Sequence, residues 1–541
     1  MKRTNRRMRW RQRRAWAAVA VAGLAFGAGH LRAAEGEPPL VQAIKQADAA
    51  AVRQLLATKA DVNAVEGDGA TALHWAVYRD DTEAVDLLLR AGARPDVAND
   101  LGVTPLFAAA ENGSARLATR LLAAGANPRA TLLSGETLLM TAARTGNPAV
   151  VKALVAAGAD VNAADATRGQ TALMWAVAQR HPEAVRELLA GGADVRARTR
   201  PYTQVVKTTP QATNPAYIVE IQQGGYTPLL FAARVGDLES ARLLAAGGAD
   251  VNDRAALGTS ALTIAAHSGH GDVAAFLLDQ GANPNDASAG YTALHAALLH
   301  RDATLVQRLL EKGADANARV ARATPIRRDS VDFYIDPSYV GATPFWLASR
   351  FNDPAISRLL LGHGADARAI HQPTYYVGQG PSRPKNAPAT TDPDRRLVEE
   401  GRVSAVMAAI GLGGRQPLFA PDLLGRLTET ARGGARRPSL VEAGVLESVT
   451  IGTEAGVDLG VANADGNTAL HAAASRDYLS VAKYLVGRGA PLDAVNKKGQ
   501  TPLAAAEAAG ADDVTQYLRS AGAHDAPGGR TADGPAPSSG R

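Results

Sequence analysis

Three histidines recur inside one tetrapeptide, Thr-Ala-Leu-His, at 71–74, 292–295 and 468–471. Imidazole can ligate a metal or act as a general base near neutral pH, so His74, His295 and His471 are the first candidates for chemistry. All three stand three residues behind a threonine at the same place in a recurring sequence, and that periodicity assigns them to the architecture. His267 and His270 have a ligand-like spacing, yet they belong to a Gly-His turn between two helical segments. Gly411-Leu412-Gly413-Gly414 has the composition of a phosphate loop but neither a preceding strand nor a Lys-Ser ending. No nucleophile elbow, His-Glu-x-x-His or Gly-x-x-x-x-Gly-Lys occurs. The absence of cysteine from all 541 residues excludes disulfides, thiolate metal sites, thiol catalysis and attached haem. The expectation is a protein that is not an enzyme, with no catalytic, cofactor-binding or metal-binding residues and no cofactor.

The elements that hold these histidines repeat along most of the chain, and a fixed period outranks other signals. TALHWA starts at Thr71, TPLFAA at Thr104, TLLMTA at Thr137, TALMWA at Thr171 and TPLLFA at Thr227. Further copies start at Ser260, Thr292, Thr343, Thr468 and Thr501, with a worn one at Ser404. Thr71 reads as a helix N-cap, and elsewhere Pro follows at the first helical position, as in Thr104-Pro105. Leu73 and Ala76 share a face at helical spacing. A second helix from about Thr82 carries Ala84, Val85, Leu88 and Leu89 on one stripe and ends at Gly92. Asn, Asp and Gly then form a protruding turn before the next threonine. Leu-Val-Gln-Ala-Ile from Leu40 opens a leading unit that lacks the Thr start.

The Thr-Ala-Leu-His starts, together with Gly-Ala-Asp-Val-Asn at 158–162 and 248–252, resemble the ankyrin repeat over roughly residues 40 to 525. Tetratricopeptide repeats have a similar period but lack both signatures. The resemblance implies an all-α solenoid of about eleven helix-turn-helix units behind an N-terminal capping half-unit at 35–70. Repeats would occupy 71–410 and 443–524. It also implies structural roles for Thr71, His74, Thr292, His295, Thr468 and His471, each histidine bonding back to its threonine.

Four of the steps between starts far exceed the usual 32–34 residues. Three surpluses, near 197–224, 319–340 and 369–400, follow a second helix and so lengthen protruding turns on one edge. The fourth, 411–442, falls between the helices of the degenerate repeat at Ser404 and belongs on the opposite edge, with a short helix of its own around Pro421–Ala431. Of twelve tyrosines, six (Tyr202, Tyr217, Tyr334, Tyr339, Tyr375 and Tyr376) lie in the three turn insertions. Tyrosine joins large contact area to a polar tip, which suits a partner-binding surface. Long hairpins also use aromatic residues to hold their strands together, and both readings stand.

Residues 1–34 read as a cleaved signal peptide: a basic start, an apolar run from Ala15 to Ala28, and small residues at Ala33 and Ala34. An inner-membrane anchor formed by residues 15–28 is the alternative. The whole chain carries a net charge of +5, but nine of its 58 basic residues and none of its 53 acidic ones lie in that leader. The mature chain would be mildly acidic, which removes the case for nucleic acid. No other apolar run approaches a membrane span. Residues 525–541 read as a disordered tail. Arg432, Arg436 and Arg437 read as solvated loop charge or as a contact for an acidic partner. The expected function is a scaffold that binds an unidentified protein in the periplasm or outside the cell. The alternatives are an accessory or inhibitory subunit of a periplasmic enzyme, or a binder of small molecules or glycans through the Tyr- and Arg-rich insertions.

Overall fold

The computed structural model describes residues 37–207, 218–324, 335–377, 396–413 and 440–524. The expected leader and its anchor alternative, the tail, the helix around Pro421–Ala431 and the Arg432–Arg437 cluster lie outside the described residues.

Twenty-four α-helices are described, in twelve pairs. The first four pairs are Pro39–Gln46 with Ala49–Ala57, Ala72–Tyr78 with Thr82–Arg90, Pro105–Asn112 with Ala115–Ala123, and Leu138–Thr145 with Pro148–Ala156. Then come Ala172–Ala178 with Pro182–Ala190, Pro228–Val235 with Leu238–Ala246, Ala261–His267 with Gly271–Asp279, and Ala293–His300 with Ala303–Glu311. The last four are Pro344–Arg350 with Pro354–Gly362, Ala405–Ile410 with Leu440–Glu454, Ala469–Ala474 with Leu479–Gly487, and Pro502–Ala509 with Asp512–Ser520. The leading unit therefore holds both helices and is more than the half-unit expected. What it lacks is the side-chain cap, because Pro38 stands where later units place Thr or Ser.

Helices of six to nine residues are too short to persist alone, so caps and packing must hold them. The hydroxyls of Thr137, Ser260, Thr343, Ser404 and Thr501 each accept from the backbone N–H three residues on. Second helices are capped by carboxylates or an amide, as at Asp81, Asn147, Asp237, Asp302 and Asp353. Helix Leu479–Gly487 has no cap of its own. Glu442, from the preceding unit, accepts from the Ser480 N–H at 2.7 Å and replaces it.

The chain forms two compact units. One contains residues up to Ala108 with Ala123–Ala126, and the other contains Ala109–Leu122 with Asn127 onward. In the first, helix Pro39–Gln46 packs on Ala72–Tyr78, burying Leu40, Ile44, Leu73 and Val77. In the second, first helices from Leu138–Thr145 onward pack side by side in one layer and second helices in another. Leu139, Leu173, Leu229, Leu262 and Leu294 line its core.

The turn insertions add the only strands among the described residues. The first opens an antiparallel hairpin of β1 (Tyr202–Lys207) and β2 (Ile218–Gln223). The third opens another, of β3 (Thr374–Val377) and β4 (Arg396–Glu399). The second closes through Thr324 and Ile335, bonded at 3.2 Å, and a 3-10 turn at Pro337–Tyr339. The fourth surplus does interrupt a helix pair: Ala405–Ile410 precedes it, and Leu440–Glu454 begins two residues before the expected boundary.

Candidate functional site

The protruding turns are joined into rows by main-chain hydrogen bonds. In the first unit, the Asp100 N–H donates to the Asp68 carbonyl at 2.9 Å. In the second, Arg200 donates to Arg168 at 2.7 Å, Ala256 to Gly224 at 3.1 Å, Arg322 to Gly290 at 3.0 Å and Lys497 to Asp465 at 2.8 Å. A second row of bonds runs through asparagines that the sequence reading assigned only to turns. Asn285 donates to the Gly313 carbonyl at 2.8 Å and accepts from the Asp315 N–H at 2.7 Å. Asn317 does the same to Gly364 at 2.9 Å and Asp366 at 2.7 Å, spanning the whole second insertion. Asn63 and Asn162 hold the loop beyond them with both functions too. The Asn of Gly-Ala-Asp-x-Asn is thus a clamp on the next repeat. Asn317→Ala is expected to lower unfolding stability by ~1–2 kcal/mol. Asn317→Asp, which keeps the acceptor and loses the donor, should fall between. Denaturant melts of the three proteins test this, and equal midpoints would refute the clamp.

The recurring histidines sit where the resemblance places them. The Thr71 N–H donates to His74 Nδ1 at 3.1 Å, and the Thr71 hydroxyl lies 2.9 Å from the same nitrogen. Because a carbonyl can only accept, Nε2, 3.0 Å from the Val103 oxygen, must carry the proton. One neutral tautomer satisfies both sides and ties the helix start to the next turn. His295 repeats this with Thr292 and the Ala318 carbonyl, and His471 with Thr468 and the Gln500 carbonyl. Burial lowers the pKa of all three, and that of His295 falls to about 4. His270, in the Gly-His turn, lies 3.2 Å from the Arg234 carbonyl through Nε2. Among the described residues no group of three or more His, Asp or Glu could hold a metal ion.

The glycine run is structural as well. Gly411 ends helix Ala405–Ile410 in the left-handed conformation, and Gly413 lies so close to Trp346 that an added Cβ would stand 2.7 Å from its ring.

The six insertion tyrosines do not form one group. Tyr339 is 2% exposed, its ring against Phe351 at 5.9 Å and Trp346 at 6.3 Å. It belongs to the core, because the 3-10 turn folds it inward, and the partner-binding expectation fails for it. His371 completes that cluster at 4.4 Å from Trp346, and no sequence pattern had marked it. Tyr202, at the start of β1, is 38% exposed, with the Arg168 guanidinium 5.7 Å from its ring centre. Tyr375 and Tyr376 lie on β3 opposite Val398 and Leu397, so no aromatic residue faces another across that ladder. Tyr217 and Tyr334 lie outside the described residues, as do the side chains of Tyr375 and Tyr376.

Apolar exposure marks the protruding turns of each unit. Seven large apolar side chains are exposed among the described residues, and six of them (Val65, Leu101, Leu133, Tyr202, Val340 and Val495) stand on protruding turns. Among the described residues no helix is long and apolar enough to cross a membrane.

A repeating helix pair whose first helix opens at Thr or Ser, in three copies as Thr-x-x-His, defines the class. The family model described as ankyrin repeats (3 copies) matches residues 24–99, 40–131, 106–199, 229–320 and 440–526, and the chain belongs to the ankyrin-repeat family. The unmatched stretches, 200–228 and 321–439, hold most of the insertions. The chain is also 37% identical over 152 residues to "Transient receptor potential cation channel subfamily V member 5" of Homo sapiens. That match covers 26% of this chain and 20% of the relative, so the chain spans about a fifth of the relative's length.

Proposed function

We propose that this protein is an interaction scaffold that binds another protein through its protruding turns. One observation carries the reading: among the described residues, six of the seven exposed large apolar side chains stand on protruding turns. Isolated exposed apolar groups are ordinary on a protein surface, but their confinement to one structural position is not. The bonded rows hold the turns in fixed geometry, which limits the ordering cost of binding. Ankyrin repeats generally mediate protein–protein interaction, and the family supports the same conclusion. The basic-apolar start of the sequence supports a site of action outside the cytoplasm, with the mature chain beginning at Glu35.

The test is a crosslinking capture from the source cells, comparing the full chain with a form whose three turn insertions are cut back to ordinary length. A partner held by the full chain and lost by the short form is the expected result. Retention by both would move binding to the plain repeat surface, and failure of both to hold any protein would overturn the scaffold reading. Mass analysis of the N-terminus of the exported protein tests the site of action; an intact Met1 on that protein would contradict cleavage.

A further inference from the structure

The neck of the first hairpin gathers arginines that the fold does not neutralise. Arg168, Arg196, Arg198, Arg200 and Arg234 are all exposed around the segment where β1 leaves and β2 returns. Among the described residues only Arg198 of these has an ion-pair partner, Asp253, and it is further fixed by the Gly225 and Arg254 carbonyls at 3.1 and 3.0 Å. Arg168, Arg196, Arg200 and Arg234 have no carboxylate within 4 Å among the described residues, whereas Arg254, one turn further on, is paired with Asp286 at 2.8 Å.

Two carboxylates near in sequence, Asp165 and Asp194, are otherwise engaged. Asp165 is buried and accepts from the N–H groups of Thr167, Arg168 and Gln170. Asp194 accepts from the Arg196 N–H at 2.8 Å. Glu220 stands on β2 opposite Val205.

The unneutralised cations are also held in place. Arg200 donates to the Ala166 carbonyl at 2.6 Å. Arg168 stands over Tyr202, and Arg234 over Tyr226, at 5.7 and 5.9 Å. Thr199 locks the neck through its bonds with Tyr226. Preorganised guanidiniums beside one exposed ring, Tyr202, and one half-buried ring, Tyr226, suit carboxylates carried on an apolar chain.

We infer that the first hairpin's neck, built from Arg168, Arg200, Arg234 and Tyr202, is the docking site for an acidic segment of the partner protein. The inference rests on the scaffold reading and names the chemistry of what the edge binds. The occupant is a peptide with Glu or Asp interleaved with apolar residues: carboxylates meet the arginines, and an apolar side chain lies on Tyr202.

The probe is a fluorescein-labelled twelve-residue peptide of alternating Glu and Leu, titrated into the full chain and followed by anisotropy. The test variant carries Arg168→Gln, Arg200→Gln and Arg234→Gln. A control loses the same charge elsewhere, through Arg53→Gln, Arg358→Gln and Arg519→Gln. Matching circular dichroism and melting curves establish that both fold. Losing these contacts should weaken the peptide at least tenfold in the neck variant and less than twofold in the control. Equal weakening in both would reduce the effect to net charge and overturn the inference, as would unchanged binding by the neck variant. Inorganic polyphosphate that binds more tightly than the peptide, and loses as much in the neck variant, would assign the site to another polyanion and also overturn it. Should the captured partner above depend on the insertions yet ignore the neck substitutions, this inference falls and the scaffold reading stands.

Discussion

Trp346→Ala is expected to lower stability by ~3–5 kcal/mol. Trp346 is 1% exposed, its ring lies against Tyr339 of the second insertion and His371 of the third, and Tyr339 in turn packs on Phe351 of the same helix pair. Its indole N–H donates to the Val403 carbonyl at 3.2 Å. Val403 in turn exchanges main-chain bonds with His371 at 2.8 and 3.1 Å. Alanine would leave a cavity, take one of two donors from the Val403 carbonyl and release the wall against which Gly413 packs. Trp346→Phe refills most of the volume without restoring the N–H, so its cost should be nearer ~1–2 kcal/mol. Guanidinium unfolding of the full chain, followed by far-ultraviolet circular dichroism, checks both values. In a repeat protein each unit leans on its neighbours, so the alanine variant should melt around residues 335–410 before the rest. An alanine variant that unfolds in one step at the native midpoint would show that this cluster is not what holds the insertions to the repeats.

That cluster also marks how far the sequence could be read. Thr71, Thr292 and Thr468 announced their helices because a cap and the three residues after it are local, and local chemistry is visible in one dimension. The places of the insertions were legible for the same reason, since they are surpluses over a fixed period. Bonds between repeats were not. Asn63 reaches a carbonyl 29 residues ahead and Glu442 caps a helix 38 residues ahead, and neither separation follows until the packing offset of neighbouring repeats is known. Tyr339 shows a different limit. Composition placed it with five other insertion tyrosines, but whether a side chain of an insertion turns toward solvent or core depends on where the 3-10 turn at Pro337–Tyr339 points it. Among the insertion tyrosines, Tyr202 keeps the expected exposure because it opens a strand beyond the repeat body.

Acid should weaken the fold in a window set by the histidines, and His295 gives the largest single effect. Its ring is fully buried, and burial pulls its pKa from 6.5 to about 4 despite the Ala318 carbonyl, which favours the protonated form. Protonation at Nδ1 would also cost the bond from the Thr292 N–H. Above pH 6.5 neither the folded nor the unfolded chain protonates this ring, and its contribution is complete. Below 6.5 the unfolded chain takes up a proton that the folded chain refuses, so stability falls with pH until about 4. The loss from His295 should reach ~2–3 kcal/mol by pH 4.5. His74 and His471 shift in the same direction and add to it. Asp286 acts lower: burial raises its pKa, but bonds from Arg254 and Ser288 outweigh that, so its share is lost as pH falls through the ordinary carboxylate value toward the lower folded one. His295→Gln separates these contributions, because glutamine can still accept from the Thr292 N–H but does not titrate. The variant should be less stable than the native chain at pH 7 and close much of that gap by pH 4.5. Unfolding free energies at the two pH values decide the matter, and a gap of constant size would mean that His295 does not govern the acid response.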